Sequence, residues 1–135
     1  MNTTLSPQEI NALSAAYHQL FLVIDQYLDI HWDTLTSEER SVLESGKWQL
    51  FNTASDLNAE AATIQLQMLE ADLKTLQQCT QKMLITIDKI QHVKKAIEVA
   101  TKAVTLGAEI FLAASSGNST LLGNAANNLL EALNL

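Results

Sequence analysis

Asp25, Asp29 and Asp33 stand four residues apart, and His18 and Leu22 extend the same row toward the N-terminus. On a helix this spacing puts the carboxylates on one face, where close acids can share a proton or hold a divalent cation. Side chains in a helical row project in parallel, however, and do not converge on an ion, so the plainer reading is a solvated acidic face. Asp88 and His92, also four apart, could orient each other or supply two metal ligands, a pairing common on helix surfaces. His18, His31 and His92 all lack an acid three residues earlier, which removes the di-iron signature of helical bundles. A metal or small-molecule site would have to draw on Tyr17, His18, His31 and Trp48. Cys79 has Lys82 one turn on, but no histidine at helical spacing and no second cysteine. It reads as a buried, unreactive thiol in a reducing compartment. Phosphate-binding glycine loops, zinc spacings and hydrolase motifs are missing from the sequence. The expectation is a non-enzyme with no catalytic residue, metal or cofactor.

The elements that would position these groups are helices. In Leu5-Ser6-Pro7-Gln8-Glu9-Ile10, Ser6 can cap the free amides, Glu9 completes a capping box, and Leu5 with Ile10 forms a hydrophobic staple. Ile10, Leu13, Tyr17, Leu20, Phe21, Ile24, Tyr27, Leu28 and His31 then share one stripe, predicting a helix to about Asp33. Thr36 and Glu39 form a second capping box after a short link, which predicts an antiparallel partner helix. Six of the seven aromatics fall between Tyr17 and Phe51, with Trp32 and Trp48 near the two ends of this pair. Such a cluster reads as core or, less simply, as the lining of a ligand pocket.

From Thr36 to Ser116 there is no proline, and the only glycines are Gly46 and Gly107. One helix of that extent would run about 120 Å, far beyond a compact domain of this size, so it must fold back or find another chain. The best turn composition is at residues 52–58, followed by Ser45-Gly46 and the glutamines around Cys79. Leu66, Leu69, Leu73, Leu76, Met83, Ile87 and Ile90 follow three-four spacing, which predicts a coiled-coil-like seam on a helix continuous from about Asn58 to at least Ile90. Before it, Leu50, Ala54, Leu57, Ala61, Ile64 and Met68 share a face; after it, Val93, Ile97, Ala100, Val104, Ala108 and Phe111 share another. The small residues Ala96, Ala100, Ala103, Gly107 and Ala108 invite close approach of a second helix. Gly117 should end that helix, and Asn118 or Ser119 should cap a last short one bearing Leu122, Ala126, Leu129, Leu130 and Leu133.

The net charge of −7 is uneven: residues 1–60 hold nine acids against Arg40 and Lys47, whereas residues 61–135 balance six acids with six lysines. Five of these, Lys74, Lys82, Lys89, Lys95 and Lys102, form a broad basic ridge on a helical wheel. The acidity argues against nucleic acid and for a basic partner. Neither a signal sequence nor an apolar run of about twenty residues is present, which gives a cytoplasmic expectation with signal-less secretion open. The reading is one all-α domain, residues 1–135, built as a long antiparallel helical hairpin or four-helix bundle with a short C-terminal helix. Its expected occupation is protein–protein interaction, with itself as a dimer or higher oligomer or with another protein. The expected anchors are Leu66, Leu69, Leu73, Leu76, Met83, Ile87 and Ile90, with Asp25, Asp29, Asp33, Glu38 and Glu39 facing a basic partner. A membrane-active subunit using Ala96–Ala114 is the alternative.

Overall fold

The computed structural model describes residues 2–85 and 90–134. These residues are all-α apart from one short strand pair, in the order β1 (Asn2–Thr4), α1 (Pro7–His31), a 3-10 turn (Trp32–Thr34), α2 (Ser37–Glu60), β2 (Gln67–Leu69), α3 (Glu70–Leu84), α4 (Val93–Ser116) and α5 (Leu122–Leu133). Both capping boxes form. Ser6 Oγ accepts the Glu9 N–H at 3.2 Å while Glu9 Oε1 accepts the Ser6 N–H at 3.1 Å, and Thr36 and Glu39 repeat this at 3.1 and 2.8 Å. Leu5 and Ile10 are buried as a staple requires. Gly117 ends α4 at φ 74°, the left-handed cap position that only glycine occupies without strain, and its N–H donates to the Ala113 carbonyl at 2.9 Å.

The expected helix from Asn58 to Ile90 does not exist. It is interrupted twice, and neither break falls at an expected turn: residues 52–58 and Gly46 lie inside α2, and Cys79 lies inside α3. α2 unwinds after Glu60, whose carbonyl accepts the Thr63 and Ile64 N–H groups and, at 3.0 Å, the Thr63 hydroxyl. The next residues switch to a two-residue period, with Ile64, Leu66 and Met68 buried and Gln65, Gln67 and Leu69 exposed. This alternation is strand-like, and β2 pairs antiparallel with β1, Thr3 opposite Met68. The Leu66 carbonyl continues the ladder by accepting the Leu5 N–H at 2.9 Å. α3 then ends at Leu84, and α4 begins only at Val93.

α1 packs on α2 and α3, α4 covers α2, and α5 fills the space between α3 and α4. The α1 stripe is buried as its periodicity demands, with Phe21 and His31 only partly covered. Contacts between α1 and α2 step in opposite directions, from Ser14 with Ala54 to Asp25 with Lys47. Those between α2 and α4 step in the same direction, from Gly46 beside Ala100 to Thr53 beside Gly107.

On α4 the expected face is wrong by about 100°, one residue on the wheel. Ala96, Val99, Ala103, Leu106, Ile110 and Ala113 are buried, whereas Val93, Ile97, Val104 and Phe111 are only partly so and Ala108 is exposed. Ala100 alone of the expected face is buried, whereas the close approach expected of the small residues occurs at Ala96, Ala100, Ala103 and Gly107, with Ala108 left out. Tyr17 crosses this interior and donates from its hydroxyl to the Ala103 carbonyl at 2.7 Å. The expected cap of α5 is also absent. The Asn118 side chain accepts the Thr120 N–H at 3.0 Å instead, and Ser119 contributes only its carbonyl, to Leu122.

Candidate docking face on the first two helices

α2 buries Leu43, Leu50, Ala54 and Leu57 against the rest of the chain, which leaves Trp48 and Phe51 off the stripe. α1 carries Phe21 at the edge of its own stripe, and His18 and Leu22 beyond it. The antiparallel register brings these positions together on the outside of the molecule. Phe21 lies 5.2 Å from Phe51 and 5.7 Å from Trp48, Trp48 lies 5.8 Å from Phe51, and His18 touches Phe21 and Phe51 at 5.7 and 6.3 Å, all between ring centroids. These separations are those of favourable tilted and edge-on pairs. The cluster is nevertheless open to solvent: Trp48 is 50% exposed, Phe51 38% and neighbouring Leu22 45%. The expectation of an aromatic core holds only for Tyr17 and Tyr27, which are buried.

At one end of the cluster Lys47 lies across the α1–α2 contact. Its Nζ donates to Asp25 at 2.9 Å and to Glu44 at 3.3 Å and stands 4.9 Å over the Trp48 ring. The lysine is nearly buried, while both carboxylates remain about two-fifths exposed. Burial opposes its charge, but the hydrogen bonds and charges of Asp25 and Glu44 outweigh that effect and hold its pKa above the ordinary lysine value. At the other end a shallow groove of about 350 Å³ runs on between the helices, floored by Ser14 and Ala54 and edged by Asn11, Ala15, Ser55 and Asn58. Ser14 closes the floor by donating to the Ala54 carbonyl at 2.6 Å.

The sequence-derived site residues fall in different places. Leu66, Leu76, Met83 and Ile90 are buried by the chain's own elements, Leu73 is partly covered, Leu69 is 51% exposed, and Ile87 lies outside the described residues. Leu73 and Leu76 instead line a second, apolar groove of about 440 Å³ between α1 and α3 with Leu5, Leu13 and Leu84. Of the acids, Asp25 holds Lys47, Glu39 caps α2, and Asp29, Asp33 and Glu38 are exposed. Asp33 sits in the 3-10 turn and so leaves the helical row it was expected to continue. His31 stacks on Tyr27 at 4.3 Å and lies about 20 Å along α1 from His18, so the two histidines do not converge. The Asp88–His92 pair lies partly outside the described residues. Among the described residues no three of histidine, cysteine, aspartate and glutamate are grouped as metal ligands would be, and no helix is long and apolar enough to cross a membrane.

Cys79 is fully buried, its thiol donating to the Ala126 carbonyl at 2.9 Å, and burial pushes its pKa up to about 12. The thiolate needed for chemistry is therefore disfavoured. The chain matches no family model, no curated protein and no solved structure.

Proposed function

We propose that this chain is a non-enzymatic helical module for protein–protein interaction, docking a protein partner on the outer face of α1 and α2. The partner is a second copy or another chain, and α1 and α2 act as an antiparallel hairpin braced from behind by α4. The observation that carries this reading is the contiguous cluster of Phe21, Trp48 and Phe51, in which Phe21 packs on the core while Trp48 and Phe51 stand largely in water. Clustered exposed aromatics are poor solvent-facing groups and good interface centres: tryptophan dominates binding hot spots, and large apolar patches on monomers mark contact surfaces. The central leucine seam loses the role of anchor in this reading, because Leu66, Leu76 and Met83 are occupied within the fold.

The test is position-specific photocrosslinking under native conditions. A crosslinker replacing Trp48 should join one defined protein species, a second copy of the chain included, and Phe51→Ser should abolish that product. A crosslinker replacing the exposed Asn128 on α5 should not produce it. Equal products from both positions, insensitive to Phe51→Ser, would remove the reading.

A further inference from the structure

Three features of the aromatic face specify what covers it, given the reading of that face as a docking surface. The first is its charge polarity along the hairpin. Asp25 and Glu44 border the rings at one end, and Asp29 extends the same row one turn further, whereas the groove at the other end is edged by Asn11, Ser55 and Asn58. The second is the shortage of cations. Lys47 and His18 stand beside the rings, and two carboxylates already hold Lys47, so that triad keeps a net negative charge. Arg40, the other base of the first sixty residues, donates to the Trp32 carbonyl at 2.7 Å and stacks over the Trp32 ring. The third is shape: the shallow groove between the two antiparallel helices leads from the neutral end onto the exposed rings, a line along which a third helix can lie.

We infer that the occupant is a cationic amphipathic helix, its aliphatic stripe laid on Phe21, Trp48 and Phe51 and its lysines or arginines reaching Asp25, Asp29 and Glu44. A second copy fits this face poorly. Related by a two-fold axis, it would set its own acidic end over the neutral Asn and Ser end or over another acidic end, and neither arrangement supplies cations. Apart from Lys47, the described lysines of this chain, Lys74, Lys82, Lys94, Lys95 and Lys102, lie on α3 and α4 and not on the two helices that form this face. A cationic helix gains in encounter rate and register from the acids, and its main affinity from covering the rings.

The probes are three synthetic helices of about 18 residues, long enough to span the groove and the rings, with one leucine stripe and a polar face of lysine, glutamine or glutamate. Trp32→Phe leaves Trp48 as the only indole, so its emission reports directly on the face. The lysine helix should shift Trp48 emission to the blue and bind at least about tenfold tighter than the glutamine helix, a gap that closes at high salt. Asp29→Asn should narrow that gap, and Phe51→Ser should abolish binding at unchanged net charge. Leu22→Ser serves as the second patch variant if Phe51→Ser lowers the melting temperature. Equal binding of all three helices at the rings would overturn the cationic partner and leave the docking face standing. A concentration-dependent dimer that Phe51→Ser dissolves would overturn it in favour of a second copy. Failure of all three helices to move Trp48 emission, with no dimer, would overturn both readings. Lysine-helix binding indifferent to Phe51→Ser would show bare charge attraction and sink the inference.

Discussion

The outer face of α1 and α2 and the inner face of α4 make opposite use of apolar residues. Outside, Trp48, Phe51 and Leu22 stand between 38% and 50% exposed. Inside, α4 meets its neighbours with Ala96, Ala100, Ala103 and Gly107, all but sealed from solvent. A Cβ on Gly107 would lie 2.9 Å from Thr53 Cγ2, while one on Gly46 would lie 3.4 Å from Ala100 Cβ. Where α2 and α4 approach this closely only small side chains fit along their contact, and the ring that reaches it, Tyr17, comes in from α1. Side-chain size alone therefore does not mark the inner face of α4. The small residues from Ala96 onward, one reason for considering a membrane-active segment, are used for packing against α2 and α1.

Alkali should do the most damage to the sealed side. Burial raises the pKa of the Cys79 thiol to about 12 and that of the Tyr17 hydroxyl well above its ordinary value. Raised folded values mean that both groups stabilise the fold fully below their unfolded values, roughly pH 9 to 10, and that this stability is lost as pH rises through the folded ones. Denaturant midpoints measured from pH 8 upward should fall steadily; a flat profile to pH 11 would show that the interior is wetter than described. Leu106→Ala, at a fully buried position on α4, should cost about 2–5 kcal/mol in urea unfolding. Gly107→Ala should cost about 1–3 kcal/mol by overpacking against Thr53, whereas Gly46→Ala, in ordinary contact, should stay within about 0.5 kcal/mol of the parent or gain slightly in helix propensity. Equal costs at the two glycines would contradict the α2–α4 register. Trp48→Ser gives up two ring pairs and the Lys47 contact and should cost about 1 kcal/mol, well below Leu106→Ala, while removing partner binding. A loss comparable to Leu106→Ala would make the aromatic cluster a structural element and not a docking face.

Local chemistry made three helix ends legible. Ser6 with Glu9, Thr36 with Glu39, and Gly117 mark ends that need only their own neighbours to form. The candidate face was legible only in part: the aromatics between Tyr17 and Phe51 stood out, but their exposure did not. A signal existed, since Trp48 and Phe51 fall off the Leu43, Leu50 and Leu57 stripe. The central seam was misread because Leu66 and Leu69 satisfy a helical period while Ile64, Leu66 and Met68 satisfy a strand period equally well.

By itself, the sequence determined an all-helical chain, the capping boxes of α1 and α2, the Gly117 cap, the buried stripe of α1 and the acidity of its first half, because each depends on residues a few positions apart. Only the tertiary structure decided which period wins at 64–69, which face of α4 is inside and which rings remain in water. Those outcomes depend on β1 offering β2 a ladder, on α2 admitting only small side chains beside it, and on α1 laying Phe21 against Phe51. All three are contacts between segments distant in the chain, whose free energy no local pattern contains.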